Sequence, residues 1–244
     1  MSIAIAVHCG SYVLLATDCR ESIIARDGSI EPDTDTLVEK IKRTSAGFIT
    51  GTGLGPLLFD VRDQIIESQP ANIKALRDLI RSAREAFRDD ESRSESLRTV
   101  TLAQTGWILT STSRHGVELL IYHPDSGNEI ARYAPGGFAL FVPLLSEGDE
   151  PERVGEIVGT AIEEQLRMGD PDATKEELQR DLSWNVDLLR HSIARAASEV
   201  PTVSQECHIA VHFHTGDRHL SEMVTPGQPL AWIEIQDERD EHDD

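Results

Sequence analysis

The chain has 244 residues, a formal net charge of −20, three cysteines and 39% hydrophobic residues. At this length a chain buries roughly 70–75% of its unfolded surface, so the core needs neither disulfide nor metal. Cys9, Cys19 and Cys207 are an odd set without metal-type spacing, which fits a reducing, cytoplasmic setting. The acidity excludes a nucleic-acid partner, which requires a basic footprint. No membrane is expected either: no apolar run approaches a membrane span, and no basic segment opens a secretory leader.

The first elements form a hairpin. Ile3 to Val7 and Tyr12 to Ala16 are short apolar arms around the turn-prone Cys9-Gly10-Ser11. Asp27-Gly28 between apolar arms reads as a second, smaller hairpin. Leu37–Lys42 and Gly47–Thr50 read as strands, the latter stopped by Gly51-Thr52-Gly53-Leu54-Gly55. Leu54, Leu57, Leu58, Val61, Ile65 and Ile66 recur at helical spacing, with Pro56 fitting the first turn. A second helix fits Asn72–Arg88, and Asp89–Arg98 reads as a charged connector.

Three strands follow near Thr105–Ser113, Val117–His123 and Glu129–Tyr133, separated by turns at Gly116 and Asp125-Ser126-Gly127-Asn128. Phe138–Leu145 is a short apolar segment, a candidate contact between copies. Helices fit Val154–Met168 and Lys175–Ala197, and strands fit Cys207–His214, His219–Met223 and Leu230–Ile235. Residues 1–236 thus read as one domain, and 237–244 as an acidic, disordered tail. Segregated strands and helix pairs point to the α+β class, with helices layered outside a pair of antiparallel sheets.

The opening hairpin also carries chemistry. Once Met1 is removed, Ser2 presents a hydroxyl and a free α-amine on one residue, and Asp18 ends the second arm. A nucleophile beside its own amine base is a known alternative to a Ser-His-Asp arrangement. Ser2 to Arg20, then Lys40-Ile41, then Gly51-Thr52-Gly53 before a helix, resembles the N-terminal third of a proteasome β-type subunit. That family, the N-terminal-nucleophile hydrolases, includes the bacterial two-component protease and the bacterial ancestral β-subunit type. The tight match covers the first sixty residues, while the later order of elements fits the family's four-layer αββα sandwich.

The resemblance implies a hydrolase that cleaves peptide or other amide bonds through an acyl-Ser2 intermediate, without cofactor or metal. In the family's pattern Ser2, Asp18, Arg20 and Lys40 hold the places of nucleophile, aspartate, arginine and lysine. A lysine cation within about 4–6 Å of the α-amine favours its neutral form. Lys40 is the candidate, with Lys42 the fallback on the same strand face, and Asp18 offsets and orients the lysine. Backbone N–H groups around Thr52 and Gly53 are the candidate oxyanion donors.

The departures are specific. Serine replaces the usual threonine, the family's Gly-Ser-Gly element is matched to Pro135-Gly136-Gly137, and its Asp-x-x-Ser element falls on Pro201-Thr202-Val203-Ser204. Ser204 is kept, the aspartate is replaced by Pro201, and Glu199 or Glu206 stands as a substitute. The resemblance also implies a homo-oligomer, a ring or helical stack, and leaves an ATPase partner open. The alternative function is a non-catalytic assembly subunit on the same fold.

Two bland readings compete with specific motifs. Gly51-Thr52-Gly53-Leu54-Gly55 lacks the Lys-Ser/Thr of a phosphate loop and the spacing of a dinucleotide fingerprint. His208, His212 and His214 share one strand face, with His219 following. Residues four apart on a strand are ~13 Å apart along it, so these histidines do not converge on a metal. A polar or inter-subunit strand face is the expectation for them.

Overall fold

The computed structural model describes residues 3–24, 30–124, 127, 129–142, 151–170, 172–213 and 219–224. The expected Asp27-Gly28 turn, the 230–235 strand, the 237–244 tail, His214 and Ser2 lie outside the described residues. In chain order the elements are β1 (Ala4–His8), β2 (Tyr12–Asp18), β3 (Arg20–Ile24), β4 (Ile30–Leu37), β5 (Lys42–Arg43) and β6 (Phe48–Thr52). Then come α1 (Gly55–Ser68), α2 (Ile73–Arg88), α3 (Glu95–Gln104), β7 (Gly106–Ser113), β8 (Gly116–Tyr122), β9 (Ile130–Tyr133) and β10 (Phe138–Phe141). The chain continues with α4 (Pro151–Gln165), α5 (Lys175–Glu199), β11 (Cys207–Phe213) and β12 (His219–Val224).

Two five-stranded antiparallel sheets stack face to face, in the orders β10-β1-β2-β11-β12 and β5-β6-β7-β8-β9. β3 and β4 pair as a separate antiparallel ribbon. α4 and α5 cover the first sheet, and α1 and α2 cover the second. The protein is therefore an α+β, four-layer αββα sandwich.

The alternation along β1 explains why the layers stack. Ile3, Ile5 and Val7 pack against α4 and α5, whereas Ala4 and Ala6 face the second sheet. Small residues on that inner face leave room for Phe48, Ile108, Leu119 and Ile121 from the opposite sheet. The sheets approach closely at Gly47, where an added Cβ would sit 2.5 Å from the Thr110 carbonyl oxygen and 2.6 Å from His212 Cε1. Any larger residue there must displace the neighbouring Thr110 strand of its own sheet and the His212 ring of the facing sheet.

Several expectations are corrected. The charged connector ends early, because Ser94 caps α3 by accepting the Leu97 N–H at 3.3 Å. With few apolar residues, α3 has little helical periodicity to read, and Leu97 and Val100 stay partly exposed. Leu37–Lys42 is not a continuous strand: β4 ends at Leu37 and β5 begins at Lys42. Phe138–Phe141, from the apolar segment proposed as a contact, is β10, paired along β1 from Ala4↔Phe141 to Val7↔Phe138. Residues 143–145 lie outside the described residues. Among the described residues no helix is long and apolar enough to cross a membrane.

The histidines correct another expectation. His208 and His212 are buried between the sheets instead of lining an outer strand face. His208 Nδ1 accepts the Ile41 N–H at 3.2 Å, and His212 Nδ1 lies 2.7 Å from Thr110 Oγ1. Thr110 Oγ1 in turn accepts the Phe48 N–H at 2.8 Å. The polar atoms thus cross-link the two sheets where sheet hydrogen bonds cannot.

Burial pushes the His208 imidazole down to about 4, against the opposing field of Glu39 and with a small contribution from Lys42 in the same direction. The unfolded chain protonates this group near pH 6.5 and the folded chain only near pH 4, so stability must fall as pH drops through that window. The expected loss is at most about 3 kcal/mol. Urea denaturation at pH 7, 5.5 and 4.5 checks it: the wild type should lose stability more steeply than His208→Gln, which keeps an acceptor for Ile41.

Candidate active site

The site grows from the end of the first hairpin. β1 and β2 pair with Ala4 opposite Thr17, and the Asp18 N–H continues the ladder to the Ile3 carbonyl at 3.4 Å. β11 flanks β2 on its other side with Cys207 opposite Asp18. Asp18 is fully buried. Its Oδ1 accepts the Ile3 N–H at 3.1 Å and the Lys40 ammonium at 2.9 Å, and its Oδ2 accepts the Arg20 N–H at 3.1 Å.

Three donors around one carboxyl group are what an ionised carboxylate needs when it leaves water. Burial pushes the Asp18 carboxyl above its ordinary value, while the Lys40 ammonium and the Arg20 N–H pull the other way. Lys40 also donates to the Arg20 carbonyl. Its ammonium is thereby held between the two strand ends, with 11% of its side chain exposed.

The remaining predicted residues divide into two groups. Ser204 Oγ accepts the Cys19 N–H at 3.0 Å and donates to the Glu206 carbonyl at 2.7 Å. Arg20 Nη1 donates to the Pro201 carbonyl at 2.8 Å. Together these bonds fasten the turn after α5 onto the junction of β2 and β3, directly behind Asp18. Asp18, Arg20, Lys40 and Ser204 therefore form one connected cluster.

Other expected partners are elsewhere. Glu199 forms an ion pair with Arg153 at 3.7 Å, and Lys42 faces Glu39 at 3.8 Å. Glu206 enters through its backbone carbonyl, which accepts from Cys19 N–H as well as from Ser204. Pro135-Gly136-Gly137 sits at the opposite end of β1: the His8 N–H donates to the Gly137 carbonyl at 2.9 Å, and the Gly136 N–H donates to the His8 carbonyl at 2.7 Å. Five strand residues separate that end from Ile3, roughly 16 Å. Its match to the family's Gly-Ser-Gly element is thus wrong. The β10 terminus that does reach this end of β1 is Phe141, opposite Ala4.

The glycine turn between β6 and α1 frames the opening. Gly53 has φ +121°, and an added Cβ would lie 2.4 Å from Thr105 Oγ1, so both conformation and packing demand glycine. α1 has Leu54 at its N-cap, which makes no side-chain cap hydrogen bond. Pro56 carries no N–H, so the Gly55 and Leu57 N–H groups are those without a side-chain cap at the positive end of the helix dipole.

A cleft of about 520 Å³ runs between this turn and Lys40. Glu21, Glu39, Lys42 and Arg62 line it together with an apolar wall of Ile49, Leu58, Phe59 and Trp107. Sequence reasoning missed that wall. Leu58 was visible as a helical core position, but nothing in the local pattern assigns Trp107 to a cleft. Thr52 lines a different cavity, shared with Gly53.

The nearby thiols are not rivals for the chemistry. Burial pushes Cys19 and Cys207 up to about 12, so neither offers a thiolate at neutral pH. What the arrangement can do is hold a lysine cation, charge-balanced, beside the Ile3 end of β1.

No family model matches the sequence, and no curated protein matches it. Solved structures do match the fold. The Gly-1 mutant of Anbu from Hyphomicrobium sp. strain MC1 is 12% identical, covering 93% of this chain and 88% of that one at a TM-score of 0.59. The Anbu complex from Pseudomonas aeruginosa, solved as a helical assembly, is 12% identical with coverage of 93% and 88% and a TM-score of 0.64. Anbu (ancestral beta-subunit) from Yersinia bercovieri is 10% identical with coverage of 92% and 88% and a TM-score of 0.62. At these identities the likeness establishes the proteasome-like fold.

Replacing Asp18 by Asn leaves the Lys40 ammonium without its counter-charge, which should cost about 3–5 kcal/mol. Asp18→Asn combined with Lys40→Met should recover part of that loss. Urea denaturation of the two single variants and the double variant measures the coupling; additive effects would show that the pair contributes nothing.

Proposed function

We propose that the protein is a hydrolase of peptide or other amide bonds that uses Ser2, exposed by removal of Met1, as an N-terminal nucleophile. The observation that carries this reading is the buried Asp18–Lys40 pair bonded to the Ile3 N–H, one residue from Ser2. The same pair in a strand interior would have no such consequence. Here it sets a fixed positive charge beside a chain terminus.

In the proposed reaction the Ser2 α-amine accepts the proton of Ser2 Oγ as the oxygen attacks the carbonyl carbon. The Oγ–C bond forms, the C–N bond breaks, and the same proton passes to the leaving amine. Water then attacks the ester, giving a proton to the α-amine, and the acid leaves as Ser2 recovers its hydrogen. Lys40 keeps the α-amine neutral by its charge, and Asp18 holds Lys40 in place.

The Gly53 turn, at the uncapped start of α1, supplies the site for the oxyanion, where one lost donor typically costs about 3–4 kcal/mol. The 520 Å³ cleft beside Lys40 receives the side chain on the acyl side of the cleaved bond. The helical assembly of the Pseudomonas aeruginosa neighbour supports self-association of this chain as well.

A non-catalytic assembly role is favoured by one observation. Ser204 Oγ is committed to two backbone groups, and Pro201 occupies the place of a carboxylate, so this turn gives the α-amine no acid partner. Intact-mass measurement separates the readings. The hydrolase requires loss of Met1 and, with an electrophile directed at N-terminal nucleophiles, one adduct that disappears in Ser2→Ala. Retained Met1, or equal labelling of both proteins, rejects the hydrolase reading.

A further inference from the structure

We infer that a second cleft, on the far side of Gly53, binds the leaving-group side of the substrate and selects a bulky apolar residue there. This inference rests on the hydrolase reading above and assigns a second subsite to the same site. The cleft has a volume of about 630 Å³ and opens between the facing edges of the two sheets, β10 on one and β8 and β9 on the other. Its volume lies within the range of small-ligand pockets.

Position connects it to the chemistry. Gly53 lines both clefts, so the turn proposed to hold the oxyanion is a partition between them. Phe141 and Val142 line the second cleft, and Phe141 pairs with Ala4, two residues from Ser2. The Ile3 end of β1 is therefore bracketed by the first cleft through Asp18 and Lys40 and by the second through β10. In the hydrolase reading, the two sides of the scissile bond take one cavity each.

The lining sets the chemical class. Tyr133, Phe141 and Val142 offer a broad apolar surface, and Ala131 leaves the space between them open. Gln104 Oε1 is buried at this cleft and has no hydrogen-bond partner among the described residues. No acid or base among the lining residues other than His123 would pair with a charged side chain. The occupant is then an aromatic or large aliphatic residue.

The test uses N-terminally labelled peptides with leucine fixed on the acyl side of the bond and Phe, Leu, Gly or Asp on the leaving side. Binding to Ser2→Ala, which holds these peptides uncleaved, is followed by fluorescence anisotropy, and cleavage by the wild type is followed in parallel. Phe and Leu should bind about 10-fold or more tighter than Gly and Asp. Ala131→Phe, which fills the cleft, should remove that preference. Ala103→Trp, at the exposed rim, should do the same if the strand substitution disturbs folding.

Equal binding of the four peptides, or an unchanged preference in folded Ala131→Phe and Ala103→Trp, overturns the inference. Selective binding without any cleavage by the wild type leaves the subsite standing and rejects the hydrolase reading instead. The two failures are thus separable.

Discussion

The buried pair of Asp18 and Lys40 is the constraint from which the site follows. A carboxylate with no exposure is stable only when its lone pairs are filled, and here the filling groups come from three different segments: Ile3, Arg20 and Lys40. Satisfying one charge therefore fixes the start of β1, the junction of β2 and β3, and the chain entering β5. The same bonds that make the pair tolerable place a cation beside the first residues of the chain. The same atoms that balance the charge join the three segments.

The pair depends in turn on how the sheets are built. Alanines at positions 4 and 6 and glycine at 47 let the sheets approach closely, and His208 and His212 bond across the gap. The His208 bond to the Ile41 N–H positions the residue directly after Lys40. A histidine in the inner layer thereby helps aim a lysine at the site's edge. Ser204 and Arg20 act from the other side, fastening the turn after α5 behind Asp18.

Much of this was legible in the sequence because it is local or periodic. The hairpin from Ile3 to Ala16 follows from two apolar arms around Gly10, and the long helices α1, α2 and α5 follow from apolar spacing. Asp18, Arg20 and Lys40 were legible only as a spacing that a known family shares, and the structure brings these three together. What failed depended on long-range register. Pro135-Gly136-Gly137 precedes β10 in the chain, yet the antiparallel pairing with β1 carries it to the wrong end of the strand. Alternation in Cys207–His214 assigned the histidines one shared face correctly, but no local signal says that this face meets a second sheet. α3 was missed because its helix rests on the Ser94 cap more than on an apolar stripe.

The fold holds Ile3, Asp18 and Lys40 together, and the central chemical proposal is that Lys40 tunes the α-amine of Ser2. The most direct test is the rate of Ser2 acylation by a small electrophile as a function of pH, in processed wild type and in Lys40→Met. The wild type should react readily at pH 7, and Lys40→Met should move the midpoint of the profile to higher pH, because the α-amine loses its neighbouring cation. An identical midpoint in folded Lys40→Met would contradict it and reduce the Asp18–Lys40 pair to a structural fastening.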